Sequence, residues 1–180
     1  LSSAVISTNK SYKKTALSRG NVSESKVFIV RNGPDLNKFN SLKIQNFNKD
    51  KSGINIGYVG NMNLQDGVDE IIYIADLIIN EYNFKKIKFN LIGSGPQLNE
   101  IKRITKEMKL SDYFDFFGRV SDKRLLSILS SCDIGVQPDP FNYLNNVSTM
   151  NKIMEYMALK LPFVSYDLIE SKYSGGNSGL

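Results

Sequence analysis

The feature that most constrains the fold is an alternation of short apolar runs with longer segments of helical periodicity. Runs rich in β-branched and aromatic residues predict strands over 27–30, 54–59, 88–92, 114–117, 134–137 and 163–166. Between most of them, apolar residues recur at helical spacing, over 68–82, 96–110, 122–132 and 150–159. Such alternation is typical of a parallel sheet covered by helices on both faces. We therefore predict an α/β fold with a three-layer, Rossmann-like, doubly wound parallel sheet.

The positive charge of the chain is concentrated near its N-terminus, where a short basic helix is expected over 10–19. The formal net charge is +5, and residues 1–51 hold 10 Lys or Arg against 3 Asp or Glu. Residues 52–180 hold 13 basic and 15 acidic side chains. A basic chain often binds nucleic acid, but here the predicted sheet domain is mildly acidic. The charge distribution therefore does not favour a nucleic-acid partner.

The rare residue types exclude several kinds of chemistry. The chain contains no histidine, which removes Ser-His-Asp and Cys-His nucleophile systems from what it can do by itself. Its single cysteine, Cys132, cannot form an intrachain disulfide, which favours a reducing compartment. No Asp-x-Asp pair is present to hold a divalent metal. We therefore expect no metal site and no bound cofactor.

Glycines mark the loops that follow the first two main strands. Gly60 and Gly67 lie in YVGNMNLQDGVDE, and Gly93 and Gly95 lie in LIGSGPQLNE. Glycine at a strand-to-helix turn allows a ligand, often a phosphate, to approach the backbone closely. Tight turns of this kind also need glycine for purely structural reasons. The second loop lacks the third glycine of a dinucleotide fingerprint, so an NAD site is poorly supported.

The segment NNVSTMNKIMEYMALKLPFVSYD carries the strongest site prediction. Ser148 is a suitable N-cap for a helix over 150–159, and Pro162 ends the helix before the next strand. The helix N-terminus would favour an anionic group such as a diphosphate. Lys152 and Glu155 share one helix face, where the lysine can bind phosphate and the carboxylate can accept hydrogen bonds from sugar hydroxyls. Alternatively, the two side chains form a solvated pair on a surface helix.

Taken together, these loops resemble those of glycosyltransferase family 4. The matching segments, in order, are YVGNMNLQDGVD, LIGSGPQL, FFGRVSDKRL, CDIGVQP and NKIMEYMALKLPFVSYDL, preceded by KVFIVRNGPD. The resemblance implies the C-terminal, donor-binding half of a two-domain GT-B fold. It divides the chain into a remnant of the N-terminal acceptor domain with the interdomain link (1–40), a polar linker (41–53) and a nucleotide-sugar-binding domain (54–180). We accordingly expect the chain to be a fragment of a longer protein, truncated at both ends.

The resemblance also implies roles for individual residues. Glu155 matches the second glutamate of the family's Glu-x7-Glu motif, which binds the ribose hydroxyls of the donor. We expect Lys152 and Glu155 to be the catalytic residues. The expected donor-binding residues are Gly60, Asn61, Gly95, Arg119, Val120, Ser148, Thr149, Met150, Asn151, Lys152 and Glu155. Among these, backbone groups near Arg119 and Val120 would hold the base.

Three positions depart from the family pattern. Val147 occupies the place of the first glutamate, which contacts the transferred sugar in the family. Asn61 and Asp66 occupy places where the family tends to have basic residues that bind the diphosphate. Lys152, with Arg119, is therefore the best remaining source of positive charge for a diphosphate.

The function expected from the resemblance is sugar transfer from a UDP- or GDP-type sugar nucleotide, with retention and without metal. The sugar or lipid-linked acceptor would bind the missing N-terminal domain, as in polysaccharide or lipopolysaccharide synthesis, so the fragment by itself would be inactive. We expect a cytoplasmic protein in which the basic N-terminal region contacts the inner face of the membrane. The alternative is a non-catalytic nucleotide-binding or interaction module with the same fold.

Overall fold

The N-terminal part of the chain forms a small βαβ unit. The structure is a computed structural model that describes residues 2–35 and 53–178. Strand β1 (Val5–Ser7), helix α1 (Lys10–Gly20) and strand β2 (Val27–Ile29) follow one another, and the two strands pair in parallel. The sequence predicted α1 and β2 but missed the three-residue β1. The linker predicted for 41–53 lies outside the described residues, apart from Gly53.

The main sheet has five parallel strands. They are β3 (Ile54–Val59), β4 (Ile87–Ile92), β5 (Phe114–Gly118), β6 (Ile134–Gln137) and β7 (Phe163–Ser165). Their order in the sheet is β5-β4-β3-β6-β7. Each predicted strand is present with bounds within one residue of the prediction, since β-branched and aromatic runs of this length favour buried strands.

Within the described residues, six α-helices follow α1 along the chain. They are α2 (Val68–Asp76), α3 (Leu98–Glu107), α4 (Asp122–Leu129), α5 (Tyr143–Val147), α6 (Asn151–Ala158) and α7 (Ile169–Gly175). Helices α2, α3, α4 and α6 each lie in a connection between parallel strands, as crossover connections require. In the ranges 2–35 and 53–178, no helix combines the length and the apolar character needed to cross a bilayer.

Helices cover both faces of the main sheet. On one face, Ile72 of α2 and Ile101 of α3 pack in a cluster with Phe89 of β4. On the other face, Ile128 of α4 and Tyr156 of α6 pack in a second cluster with residues from the same central strands. The residues named here are at most 2% exposed, so both clusters are closed to solvent. This arrangement confirms the predicted three-layer, doubly wound α/β fold.

The order of the strands determines where a ligand can bind. The chain runs from β3 outward to β5 and then returns to place β6 on the other side of β3. The loops that leave neighbouring strands on either side of this reversal diverge to opposite faces and leave a crevice at the carboxyl ends of the strands. Ligands of doubly wound sheets bind in this crevice.

Helix α2 is shorter than the periodicity predicted. The predicted helix over 68–82 is α-helical only to Asp76, and Leu77–Glu81 forms a wider π-helical turn. The wider turn keeps Ile79 buried while Leu77 remains exposed. An apolar pattern at approximate helical spacing does not distinguish the two windings, since both can place one face on the core.

The N-terminal βαβ unit packs against the end of the main domain. The backbone amide and hydroxyl of Ser11 in α1 both donate to Glu170 Oε1 of α7, at 3.2 and 2.6 Å. Arg31 lies 3.8 Å from the other oxygen of Glu170 and 4.8 Å from the centre of the Tyr173 ring. Glu170 is only 2% exposed, so these contacts fix α1 on α7 away from solvent.

Gly93→Ala should destabilise the domain because the loops after β3 and β4 touch at this point. A Cβ at Gly93 would lie 1.8 Å from the carbonyl oxygen of Gly60, and Gly93 has a φ of 134°. Overpacking against backbone together with an unfavourable φ should lower the free energy of unfolding by about 3 kcal/mol or more, measured by urea denaturation. Gly33→Ala is the control, since nothing lies within 4 Å of its added Cβ. Equal stability of the two variants would contradict the contact.

Candidate functional site

A cleft of about 450 Å³ opens at the carboxyl ends of β3, β4 and β5. Its walls are the loops that follow these three strands and the start of α6, in agreement with the crevice expected from the strand order. The cleft brings together nine of the eleven predicted donor-binding residues: Gly60, Asn61, Arg119, Val120, Thr149, Met150, Asn151, Lys152 and Glu155. Residues distant in sequence therefore meet at one site.

Gly95 and Ser148, the other two predicted residues, do not line the cleft. Gly95 packs against the loop that follows β3, where an added Cβ would lie 2.4 Å from the carbonyl oxygen of Met62. Its absent side chain is thus explained by packing between loops rather than by a ligand. Gly93 and Ser94 of the same loop do line the cleft. The spacing of glycines in the sequence does not distinguish a glycine that faces a ligand from one that packs against another loop.

Ser148 is not the N-cap of the helix that carries Lys152, so that prediction is wrong. Helix α6 begins at Asn151 with Met150 as its N-cap, and the side chain of Met150 makes no capping hydrogen bond. Ser148 instead ends α5, where its hydroxyl donates to the carbonyl oxygen of Leu144 at 2.6 Å. A serine one residue after a short helix can satisfy that helix instead of the next one. The first turn of α6 consequently lines the cleft without a side-chain cap from its own N-cap residue.

Lys152 is held by a carboxylate that the sequence did not single out. Its Nζ lies 2.6 Å from Asp139 Oδ2, and the two side chains are 8% and 1% exposed. Lys152 Nζ also lies 5.1 Å from the centre of the Tyr58 ring. The alternative of a solvated Lys152–Glu155 surface pair is therefore wrong. The one available signal for Asp139 was its position just after β6, at the carboxyl edge of the sheet.

Burial governs the electrostatics of this pair. Desolvation raises the pKa of Asp139, and the nearby charge and hydrogen bond of Lys152 only partly oppose that effect. Asp139 Oδ1 has no hydrogen-bond partner in the described part of the chain. The Asp139 carboxylate therefore depends on Lys152 to remain charged in a dry environment.

Glu155 lies one turn further along α6 and also lines the cleft. Burial raises the pKa of its carboxyl group, the charge of Asp122 adds to this rise, and Lys152 opposes it. A partly desolvated carboxylate of this kind is a strong hydrogen-bond acceptor. It is suited to accept hydrogen bonds from a pair of ligand hydroxyl groups that enter the cleft.

The positions that depart from the family pattern have structural uses. Asp66 lines the cleft, but its Oδ2 accepts hydrogen bonds from the backbone amide and side chain of Asn63, both at 3.0 Å. The carbonyl oxygen of Asn61 accepts the hydroxyl of Tyr58. Val147 does not line the cleft. These residues stabilise loops and add no positive charge to the site.

The cleft thus contains few charged side chains. Arg119 is exposed after β5, and within residues 2–35 and 53–178 it forms no ion pair. Together with Lys152 and the amides at the start of α6, it provides positive potential in the cleft. This combination can bind an anion with attached hydroxyl groups.

Solved structures with this fold include proteins in complex with UDP or UDP-glucose. A mutant of S. aureus TarM, in complex with Fondaparinux, alpha-GlcNAc-glycerol and UDP, matches with a TM-score of 0.70 and 19% identity, over 92% of this chain and 30% of that one. Anabaena Alr3699/HepE in complex with UDP-glucose matches with a TM-score of 0.67 and 18% identity, over 96% and 47%.

A third structure is the apo form of the lipopolysaccharide outer core galactosyltransferase WaaB. It matches with a TM-score of 0.61 and 14% identity, over 93% of this chain and 44% of that one. The chain therefore spans less than half the length of each of these structures. The likeness establishes a fold that corresponds to one half of a GT-B fold.

The family is established at the level of sequence. No curated protein has a sequence that matches this chain. The family model described as glycosyl transferases group 1 matches residues 53–179, which is well over half of the chain and includes every wall of the cleft. By its sequence, its fold and the position of its cleft, the chain belongs to the group 1 glycosyl transferases.

Proposed function

We propose that the cleft binds the nucleoside diphosphate of a sugar donor, so that the complete protein transfers the sugar to an acceptor. The observation that carries this proposal is the meeting of the α6 N-terminus, Lys152 and Glu155 in one cleft at the carboxyl edge of the sheet. The structural neighbours TarM and Alr3699/HepE were solved with UDP or UDP-glucose, which supports a UDP-type donor. A GDP-type donor fits the same chemistry.

The diphosphate would bind at the start of α6. The backbone amides of the first helical turn and the helix dipole favour negative charge at this point. A lysine ammonium group has three N–H donors, and Asp139 accepts one hydrogen bond from Lys152. The remaining two donors can reach phosphate oxygens while Asp139 holds Nζ in place. Arg119 would add positive charge from the loop after β5.

Glu155 would accept hydrogen bonds from the ribose hydroxyls, as the family resemblance implies. Backbone groups near Arg119 and Val120, which line the same cleft, would contact the base. In the transfer step, Lys152 and the α6 amides would stabilise the charge that develops on the departing diphosphate. We propose that this step is independent of metal and retains the anomeric configuration, as in the family that the chain resembles.

The acceptor would bind a domain outside this chain. We propose that the 180-residue chain binds donor but does not transfer sugar without that domain. A sugar or lipid-linked acceptor is consistent with the neighbour WaaB, a lipopolysaccharide outer core galactosyltransferase. The +7 charge of residues 1–51 would then place the complete protein at the cytoplasmic face of the membrane.

A second function is a non-catalytic nucleotide-binding module. It is favoured by Val147, which replaces an acidic residue of the family and does not line the cleft. The two functions differ in turnover. Consumption of UDP-sugar by the complete protein in the presence of acceptor would establish transfer, whereas binding without consumption would establish the module.

Glu155→Ala should weaken nucleotide binding. The loss of charge-assisted hydrogen bonds worth about 1.5–3 kcal/mol corresponds to a roughly 10- to 100-fold higher Kd for UDP or GDP, measured by calorimetric titration. Glu107→Ala on the exposed side of α3 is the control and should bind like the native chain. The proposed function fails when the native chain binds neither nucleotide at millimolar concentration.

Lys152→Met should destabilise the domain by about 3–5 kcal/mol at neutral pH, because it leaves Asp139 buried without its counter-ion. Adding Asp139→Asn should recover much of this loss, and Lys123→Met, at an exposed lysine of α4, is the control. Urea denaturation measures all four proteins. Equal stability of the single and double variants would contradict a mutually dependent pair.

The loss of folding stability in Lys152→Met should also depend on pH. Without Lys152, the pKa of folded Asp139 rises further above its unfolded value of 3.8, so the folded state binds more protons in the window above that value. The stability of the variant should therefore fall as pH rises through this window and recover in acid. A stability difference from the native chain that does not change with pH would contradict this explanation.

Glu155→Gln should raise the stability of the fold at neutral pH and weaken nucleotide binding. Because burial raises the pKa of folded Glu155 above 4.5, the native chain loses stability as pH rises between 4.5 and the raised value. The variant lacks this loss, so it should be the more stable protein at neutral pH, while it binds UDP more weakly. Thermal melts at several pH values and calorimetric titration test the two effects. A variant that is less stable than the native chain at neutral pH would contradict the prediction.

A further inference from the structure

Residues 147–149, which precede the N-cap of α6, are all held by the start of α1 in the N-terminal βαβ unit. Asn9 Nδ2 donates to the carbonyl oxygen of Val147 and to Thr149 Oγ1, both at 2.9 Å. Between these two bonds, Tyr12 Oη shares a hydrogen bond of 2.7 Å with Ser148 Oγ. We propose that Asn9 is a positioning residue for the nucleotide site. This inference rests on the proposed function.

Asn9 uses both ends of its side-chain amide. Its Oδ1 accepts the backbone amide of Tyr12 at 2.7 Å and so caps α1, while its Nδ2 makes the two bonds to the segment before α6. The residue is 0% exposed. A buried donor with two acceptors in fixed positions is costly to remove and strongly directional. Asn9 therefore fixes the distance and orientation between α1 and residues 147–149.

One of the residues that Asn9 holds lies in the cleft. Thr149 lines the cleft directly and is followed by Met150 and Asn151, which form its next wall residues and begin α6. Because the N-cap residue Met150 provides no side-chain cap for α6, the path of this segment decides where the first-turn amides point. Asn9 thus acts on the proposed diphosphate site through Thr149 without touching the nucleotide.

The position of α1 is itself fixed at a second point. Ser11 donates two hydrogen bonds to the buried Glu170 of α7, so α1 cannot shift along the surface without breaking them. Two independent attachments, one to the segment before α6 and one to α7, make the βαβ unit part of the frame of the cleft. A binding loop that is ordered before the ligand arrives costs less free energy to bind.

Asn9→Ser tests the role of the Nδ2 group without adding charge. Serine is as good an N-cap as asparagine, so α1 keeps its cap while both bonds to residues 147–149 are lost. Ser18→Ala is the control, because Ser18 lies on the exposed part of the same helix. The measurements, on the 180-residue chain, are the Kd for UDP, the melting temperature, and amide hydrogen exchange. Exchange is followed in β3 and β4 and at Asn146 and Ser148, whose amides donate to the carbonyl oxygens of Asn142 and Asn145.

We expect Asn9→Ser to raise the Kd for UDP by about 5- to 10-fold and to accelerate exchange at Asn146 and Ser148 by at least about 10-fold. Exchange in β3 and β4 should stay unchanged at temperatures well below the melting transition. Thr149→Val removes the acceptor of the bond from Asn9 Nδ2 to Thr149 Oγ1. Its effect on the Kd for UDP should be much smaller in the Asn9→Ser background than in the native chain.

Two results separate this inference from the proposed function. If the native chain binds UDP and Asn9→Ser binds it with the same Kd, Asn9 has no positioning role. If the native chain binds no nucleotide, the proposed function fails, and the exchange rates then decide the inference. Unchanged exchange at Asn146 and Ser148 would overturn it, whereas faster exchange confined to those residues would support it.

Discussion

The burial of both faces of the main sheet is the constraint on which the rest of the structure depends. Two clusters closed to solvent, one with α2 and α3 and one with α4 and α6, cover the central strands on either face. Polar chemistry is therefore confined to the strand ends. The reversal of the chain between β3 and β6 then decides where along the carboxyl edge of the sheet a crevice opens, and the cleft lies at this edge.

Local sequence signals predicted most of the fold but only part of the site. The strands from 54–59 to 163–166 were predictable because each is a short apolar run that suits a buried strand. Lys152 and Glu155 were predictable because their spacing and the helical pattern are both local. Asp139 was not, since its pairing with Lys152 depends on how the loop after β6 meets α6. Asn9 was missed for the same reason, because its partners lie more than a hundred residues away.

Ser148 illustrates a different limit of local reasoning. A serine before an apolar helical run has the usual features of an N-cap, yet α5 ends at the residue before it and provides a nearer acceptor. Its hydroxyl also meets Tyr12 of α1. Ser148 thus joins α5 to the βαβ unit and does not cap α6. Because Ser148 does not cap α6, the amides of the first turn of α6 remain available to the proposed anion.

The contact between the loops after β3 and β4 has a consequence for how this site can diversify. A side chain at Gly93 would meet the backbone of Gly60, and one at Gly60 would meet the Tyr58 hydroxyl and approach Lys152. That wall of the cleft can therefore change little without loss of the fold. The exposed side chain of Arg119, in the loop after β5, is not enclosed in this way. Variation in donor preference among proteins of this architecture should accordingly accumulate in the loop after β5, while the loops after β3 and β4 stay nearly constant.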